Sequence, residues 1–385
     1  MKVLNISIDR NLFDEKSAVF ERQKEYAQKL DELYIISFSL KKHKLVEKHL
    51  GNLHIYPTNS SNRIGFLFDA YRLGAKIIRQ NLSSSQFVIT TQDPMTIVGY
   101  VLSKRFDVPF QMQIHTDIYD KNFKNSLVTW KNFWYSGWVQ VFLDRFLIPR
   151  ANGIRVVGEG LKQSLVKKFP NLKVSIDVLP IFVDIEKIIN SEPKDRMLFP
   201  EFDFKIVMVS RLTKEKRVDI ALQAMGEVIK NYPRAGLVIV GDGQERSALL
   251  NITKSLGLSS NVIFIGWKDN VISFYKSADI FLLTSDYEGY GMSLLEAGAS
   301  GLPIVTTSVG LAKTPFFQNG ENSFVCSVGD SKCISEKILE LISNPEKREL
   351  FKKRMQDSIR KQAMSKEEYV ANYIGLLEKL CLKNI

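Results

Sequence analysis

Two glutamates with seven residues between them, Glu288 and Glu296, bracket a stretch that begins Glu288-Gly289-Tyr290-Gly291-Met292-Ser293 and then turns into helix-forming sequence. The apolar run Ile280 to Leu283 ahead of it is short and bounded like a buried strand. Met292 to Ala299 predicts a helix that stops at Ser300-Gly301-Leu302-Pro303. A strand, a glycine loop and a helix start, in that order, set free backbone N–H groups and the positive end of a helix dipole where an anion can sit. Carboxylates are poor partners for a bare phosphate, but they accept hydrogen bonds from hydroxyl groups, which sugars carry. The stretch therefore suits a ligand that is both phosphorylated and hydroxylated.

A second cluster, Ser210-Arg211-Leu212-Thr213-Lys214-Glu215-Lys216, follows the apolar run Val207-Met208-Val209 and precedes a predicted helix from Val218 to Lys230. Arg211 and Lys216 leave a strand end together, and a guanidinium fork with an ammonium point charge suits a diphosphate. Lys214 and Arg217 read as solvated. His115 emerges from the predicted strand Phe110 to Ile114; a lone histidine is usually a satisfied structural residue, and its place at a strand end is what makes it a candidate. Trp267, between a strand and a helix starting near Val271, either stacks on a nucleobase or packs into the core, with Asp269 placed to cap that helix. Gly241-Asp242-Gly243 hints at a dinucleotide fingerprint, but Arg246 holds the third glycine's place and no such motif follows the first strand, which disfavours a nicotinamide oxidoreductase.

These residues need a scaffold of alternating strands and helices, and the chain supplies two series of them. Predicted strands are Val3 to Ile8, Leu33 to Phe38, His54 to Pro57, Phe87 to Thr90, Phe110 to Ile114, Gly153 to Val157 and Val174 to Leu179. After a polar interval from Ser191 to Pro200 come Lys205 to Ser210, Gly236 to Val240, Val262 to Ile265, Ile280 to Leu283 and Ile304 to Thr306. Such alternation predicts an α/β protein with two Rossmann-like parallel-sheet domains, ligands lying beyond the carboxyl ends of the strands in a central crevice. The expected divisions are residues 1–182 and 183–358, with 359–385 as a terminal segment.

The E-x7-E pattern resembles the signature of retaining glycosyltransferases of the GT-B fold, specifically glycosyltransferase family 4 (group 1). The resemblance implies that Glu288 lies by the donor sugar, that Glu296 holds the nucleotide ribose, and that the amides from Gly289 through Tyr290, Gly291, Met292 and Ser293 touch the diphosphate. The R-x4-K spacing matches the family's motif and lends Arg211 and Lys216 the diphosphate role. By the same resemblance His115 contacts the donor sugar, Trp267 marks the base pocket, Gly241-Asp242-Gly243 is a structural turn on the nucleotide side, and the last helix returns to the first domain. The implied activity is transfer of a sugar from a UDP- or GDP-sugar to a glycan or lipid-linked acceptor in polysaccharide or glycoconjugate biosynthesis. A GT-B-fold sugar-nucleotide epimerase and a non-catalytic sugar-nucleotide binder are the alternatives, while a phosphorylase-like enzyme would need a lysine-bound pyridoxal phosphate and is usually much longer. The chain has no Asp-x-Asp, so neither a metal nor another cofactor is expected. Two departures bear on this reading: Asp9 to Asp14 lacks the glycines many members carry after the first strand, and Leu311-Ala312-Lys313-Thr314 lacks the Gly and Glu often found after Gly310.

The net charge of +11 is uneven, with 27 Lys and Arg against 18 Asp and Glu in residues 1–190. The first half is thus the electropositive one, suited to an anionic acceptor or anionic lipid; a nucleic-acid partner is not expected. Trp130, Trp134 and Trp138, continued by Phe142 and Phe146, form a stripe at helical spacing beside Lys121, Lys124, Lys131, Arg145 and Arg150. Residues 121–150 are therefore either an interfacial helix touching an anionic membrane or a buried face. No apolar run is long enough to span a bilayer and no signal peptide is visible. Three cysteines without metal-ligand spacing point to packing roles, no disulfide framework and a cytoplasmic location, with the inner face of the membrane as the place of work.

Overall fold

The continuous apolar runs become buried strands in the structure, a computed structural model that describes residues 1–81, 86–92, 96–117, 119–120, 145–192 and 199–382. The described residues divide into two units. One holds Met1–Tyr119, residues 145–180 and Ser365 onward; the other holds Ile181–Met364 with Asp120. Each is built on one sheet.

In the first unit the strands are β1 (Lys2–Ser7), β2 (Glu32–Ser37), β3 (Lys48–Leu50), β4 (Leu53–Pro57), β5 (Phe87–Gln92), β6 (Phe110–Ile114), β7 (Gly153–Val156) and β8 (Ile176–Val178). Their order is β3-β4-β2-β1-β5-β6-β7-β8. All neighbours are parallel except β3 and β4, which pair antiparallel with His49 opposite His54. That hairpin is absent from the sequence expectation because Lys48-His49-Leu50 is short, polar and largely exposed. Gly51, at φ +61°, makes its tight reversal.

The second unit carries β9 (Phe204–Val209), β10 (Ala235–Val240), β11 (Val262–Gly266), β12 (Ile280–Leu283), β13 (Ile304–Thr307) and β14 (Phe324–Cys326), in the order β11-β10-β9-β12-β13-β14. Every pairing in it is parallel, and β9, β10 and β12 are almost wholly buried. Strands buried on both faces read as unbroken Val, Ile and Leu runs, which is why these were legible. Helix starts are fixed by side-chain caps: Asp184 accepts from the Lys187 N–H at 3.0 Å, Asp330 from Cys333 at 2.9 Å and Asn344 from Lys347 at 2.9 Å. Each cap contributes about 1 kcal/mol.

Residues 359–362, grouped by sequence with the terminal segment, continue the helix Pro345–Gln362, and Ile359 is buried in the second unit's core. The chain enters the first unit again at Ser365, where the helix Lys366–Leu382 packs on β5 and β6 through buried Tyr369, Tyr373 and Leu377.

The cysteines correct the sequence reading. Cys326, at the end of β14, and Cys333, in the first turn of the helix Ser331–Ser343, form a disulfide, while Cys381 is a buried free thiol. Their sequence separation of seven hides a chain reversal through Gly329, at φ +80°, that brings strand end and helix start face to face. Trp130, Trp134, Trp138 and Phe142, with most of residues 121–150, lie outside the described residues. Of that stripe Phe146 is described; it is 42% exposed, with the Arg150 guanidinium 4.0 Å from its ring centre. Among the described residues no helix is long and apolar enough to cross a membrane.

Candidate active site

The carboxyl ends of β9 and β12 are neighbours in the sheet, so the loops that leave them meet. From β12 the chain runs through Thr284 to Gly291, which caps the helix Met292–Ala299 in the left-handed region at φ +98°. Gly291 has no side-chain oxygen to offer, and no side chain caps this helix start. Of the first-turn N–H groups that of Leu294 donates to the Gly291 carbonyl at 3.0 Å; no side chain occupies the others, and the helix dipole adds positive potential there.

Lys216 belongs to the short turn Lys214–Lys216 after β9, and its Nζ stands 2.6 Å from Glu288 Oε1. Both side chains are largely buried, and the Ser285 hydroxyl donates to the same carboxylate oxygen at 2.7 Å. Two residues that sequence placed in separate motifs are therefore one ion pair beside the glycine loop. Glu296, one helical turn inside, accepts a hydrogen bond from the Tyr275 hydroxyl at 3.0 Å. Burial lifts its carboxyl above the usual range, and the Tyr275 bond opposes that shift. Tyr275 itself is completely buried. Sequence reasoning passed over it because a tyrosine in an apolar helix reads as core, and nothing local announces that its hydroxyl meets a carboxylate.

Arg211 is placed differently. Its side chain is 67% exposed, and its Nη2 reaches Glu215 only at 3.5 Å. The structure does not bring it to the Lys216–Glu288 pair. Trp267 is also 67% exposed, which removes the core-packing alternative, and its indole N–H points at Asp269 Oδ1 at 3.3 Å. Asp269 is not the helix cap expected of it: the Asn270 side chain accepts from the Ile272 N–H at 3.1 Å, and Asp269 is engaged with the indole.

Glycines hold this end of the unit together by close backbone approach. A Cβ at Gly241 would meet the Ser210 carbonyl oxygen at 1.9 Å, and one at Gly243 would meet that of Leu212 at 2.3 Å. The Leu212 N–H donates to the Asp242 carbonyl at 3.0 Å, so the Gly-Asp-Gly turn braces the loop that carries Arg211 and Lys216. Gly310, at φ +48°, packs against the Tyr290 carbonyl and Glu288 Cβ, and the Leu311 N–H donates to Tyr290 at 2.9 Å. The segment after Gly310, which lacks the expected glycine and glutamate, thus supports the glycine loop from behind.

In the first unit His115 follows β6. Burial, with Arg155 and Arg22 nearby, holds its imidazole down to about 4, so it is neutral at pH 7. Its Nε2 is buried with no hydrogen-bond partner among the described residues. Arg155, on β7, is the buried charge of this region. It donates to the Leu179 and Pro180 carbonyls at 3.2 and 3.0 Å, to Gln113 Oε1 at 3.3 Å and to the Tyr369 hydroxyl at 2.7 Å. The glycine-free loop after β1 is braced instead by Asp9, whose carboxylate accepts from the Asn11 N–H at 2.9 Å.

Two parallel-sheet α/β units of this kind define the GT-B architecture. Solved structures agree over nearly the whole chain: Anabaena HepE in complex with UDP has a TM-score of 0.75 at 17% identity, covering 98% of this chain and 100% of that one. Sucrose-phosphate synthase from Thermosynechococcus elongatus has a TM-score of 0.78 at 14% identity, with 99% of each chain covered. At such identities the likeness concerns the fold. Residues 191–358, which hold Arg211, Lys216, Trp267, Glu288 and Glu296, match the family model for glycosyl transferases group 1. The chain is 32% identical over 168 residues to the N-acetyl-alpha-D-glucosaminyl L-malate synthase of Bacillus anthracis, covering 44% of this chain and 43% of that protein. It is 26% identical over 181 residues to the poly(glycerol-phosphate) alpha-glucosyltransferase of Bacillus subtilis, covering 47% and 27%. The chain thus spans about half the length, or less, of these curated relatives.

Proposed function

We propose that the protein is a glycosyltransferase that moves a sugar from a nucleoside-diphosphate donor to a glycan or lipid-linked acceptor with retention of anomeric configuration. The observation that carries this reading is the Lys216–Glu288 pair, 2.6 Å apart beside an uncapped helix start that also carries Glu296. A cation, a row of N–H donors and two carboxylates suit a diphosphate flanked by two sugar rings. The family match over residues 191–358 and relatives named for sugar transfer support it.

In this reading the bond between the sugar's anomeric carbon and the β-phosphate oxygen breaks, and the acceptor oxygen bonds to that carbon from the same face. The acceptor proton passes to the departing phosphate. Lys216 and the N–H groups from Gly289 to Ser293 receive the negative charge that builds there, with Arg211 swinging in from solvent; one such group typically supplies ~10²–10³ in rate. Glu296 orders the ribose, Glu288 the donor sugar, and Trp267 offers its face to the base. His115, neutral, donates or accepts a hydrogen bond at the sugar without carrying charge. Protein cations take the duty that a metal bound by Asp-x-Asp would otherwise perform.

The test is incubation with a panel of UDP- and GDP-sugars, following nucleoside diphosphate release with and without acceptor extracts. Acceptor-dependent release is the expected result. Isomerised donor without release would instead identify an epimerase, and binding with neither would identify a sugar-nucleotide binder. The anomeric coupling constant of the product by NMR decides retention, and an inverted linkage overturns it. Undiminished turnover in EDTA is expected if no metal takes part. Peripheral contact of residues 121–150 with an anionic membrane, on the cytoplasmic face, is tested by vesicle sedimentation of a Trp130, Trp134 and Trp138 triple alanine variant, whose retained binding would sink it.

A further inference from the structure

The turn that presents Lys216 ends on a residue in a conformation that side chains avoid. Arg217 has φ +46° and ψ 46°, in the left-handed region, and it is the hinge between the turn Lys214–Lys216 and the helix Val218–Asn231. Glycine would adopt this geometry freely; a residue with a Cβ holds it only where its surroundings over-determine it. Those surroundings are two aspartates. One edge of the guanidinium donates to Asp219, from Nε at 3.0 and 3.3 Å and from Nη2 at 3.0 Å. Its Nη1 donates to both oxygens of Asp286, at 3.0 and 3.1 Å.

Asp286 lies two residues before Glu288, on the loop that leaves β12. The same two loops are tied again through their backbones: the Asp286 N–H donates to the Glu215 carbonyl at 2.8 Å, and the Thr284 hydroxyl donates to the Lys216 and Arg217 carbonyls at 3.1 and 2.8 Å. Lys216–Glu288 is thus one rung of a ladder between the two loops whose other rungs are Arg217–Asp286 and Thr284. The reading of Arg217 as a solvated charge is corrected by these contacts: its side chain is 31% exposed and doubly engaged.

We propose that the Arg217–Asp286 pair is a positioning clamp. It fixes the loops after β9 and β12 as one body, so that the Lys216 ammonium and the Glu288 carboxylate are already in place when a diphosphate arrives. A preset charge costs no reorganisation as the reaction proceeds, whereas a lysine on a free turn must first be ordered. Arg217 and Asp286 act through Lys216 and Glu288, so they are positioning residues. What the ammonium does rests on the transferase reading; that the clamp holds it does not.

Two measurements separate these. In the first, the intact protein is acetylated briefly with an amine-reactive ester, and labelling of Lys216 relative to exposed Lys214 is read by mass spectrometry. Arg217→Gly, which keeps the left-handed backbone, and Asp286→Asn are each expected to raise the Lys216 ratio about fivefold or more, the pair being largely buried in the parent. An unchanged ratio in both variants overturns the clamp. Should Arg217→Gly fail to fold, Asp286→Asn carries the test alone. The second measurement is nucleoside diphosphate release. Both variants are expected to lose roughly 10- to 100-fold in kcat, with KM changed far less and Arg217→Lys intermediate, since an ammonium lacks the fork. Raised labelling with parental kcat overturns the preset ammonium's part in turnover, though not the clamp's hold on it. A parent protein that turns over no sugar nucleotide overturns the proposed function, while the labelling ratio still decides the clamp.

Discussion

The carboxyl ends of the two sheets are built on opposite electrostatic plans. In the second unit charges stand in pairs: Lys216 with Glu288, and Arg217 with Asp219 and Asp286. In the first, the buried charge Arg155 has carbonyls, an amide and a phenol as partners, and His115 beside it is neutral. Under the proposed function the second unit's ion pairs suit a ligand with fixed features, a diphosphate between two sugar rings. The contrast teaches that a buried charge can be held by an opposite charge, as Lys216 is by Glu288, or by neutral dipoles, as Arg155 is by carbonyls and a phenol.

Four substitutions or conditions would break or sharpen this contrast. Lys216→Met is expected to cut nucleoside diphosphate release by ~10²–10³, because it removes the charge at the leaving group and strands Glu288. A loss under tenfold would mean that the second unit's charges are structural. Trp267→Ala should weaken UDP or GDP binding about tenfold by calorimetry, a stacking-sized effect, and leave thermal stability unchanged because the ring is mostly exposed. Unaltered affinity would move the base elsewhere. Tyr275→Phe is expected to weaken nucleotide binding about fivefold, the worth of about one hydrogen bond, by freeing Glu296 from its orienting partner.

The smallest effect belongs to the first unit and to pH. The His115 imidazole is held at about 4 in the folded protein, below its ordinary 6.5. The unfolded chain therefore takes up a proton there first as pH falls. The stability this histidine gains by staying neutral is full above pH 6.5 and is lost between 6.5 and 4. The parent's melting temperature should drop further between those two values than that of His115→Gln, by a few degrees. Equal drops would show that the imidazole is not shielded.

Strands and motifs were readable for a physical reason. Buried parallel strands need unbroken apolar runs, and Lys205 to Ser210 or Ile280 to Leu283 could hardly be anything else; the spacing that set Glu288 and Glu296 apart is preserved as loop and first helical turns. What escaped was whatever depends on partners distant in sequence. Arg217 was read as solvated because its sequence shows a charge and not the Asp286 on the neighbouring loop. Tyr275 looks like core, and it is core, except for one oxygen. β3 and β14 are three residues long, too brief for a period to show. Cys326 and Cys333 gave a spacing but not the reversal between them. Arg211 kept its motif position, yet its side chain lies out in solvent, which spacing cannot foretell.

The helix Lys366–Leu382, seated on β5 and β6, makes the two units unequal in what they need to be complete. The second unit is nearly contiguous and draws on nothing beyond Met364. The first is incomplete without the helix, its Arg155 lacking the Tyr369 hydroxyl and its Gln113 lacking that of Tyr373 until it docks. A chain truncated after Met364 should accordingly hold a finished second unit and an unfinished first one, read by hydrogen exchange in each.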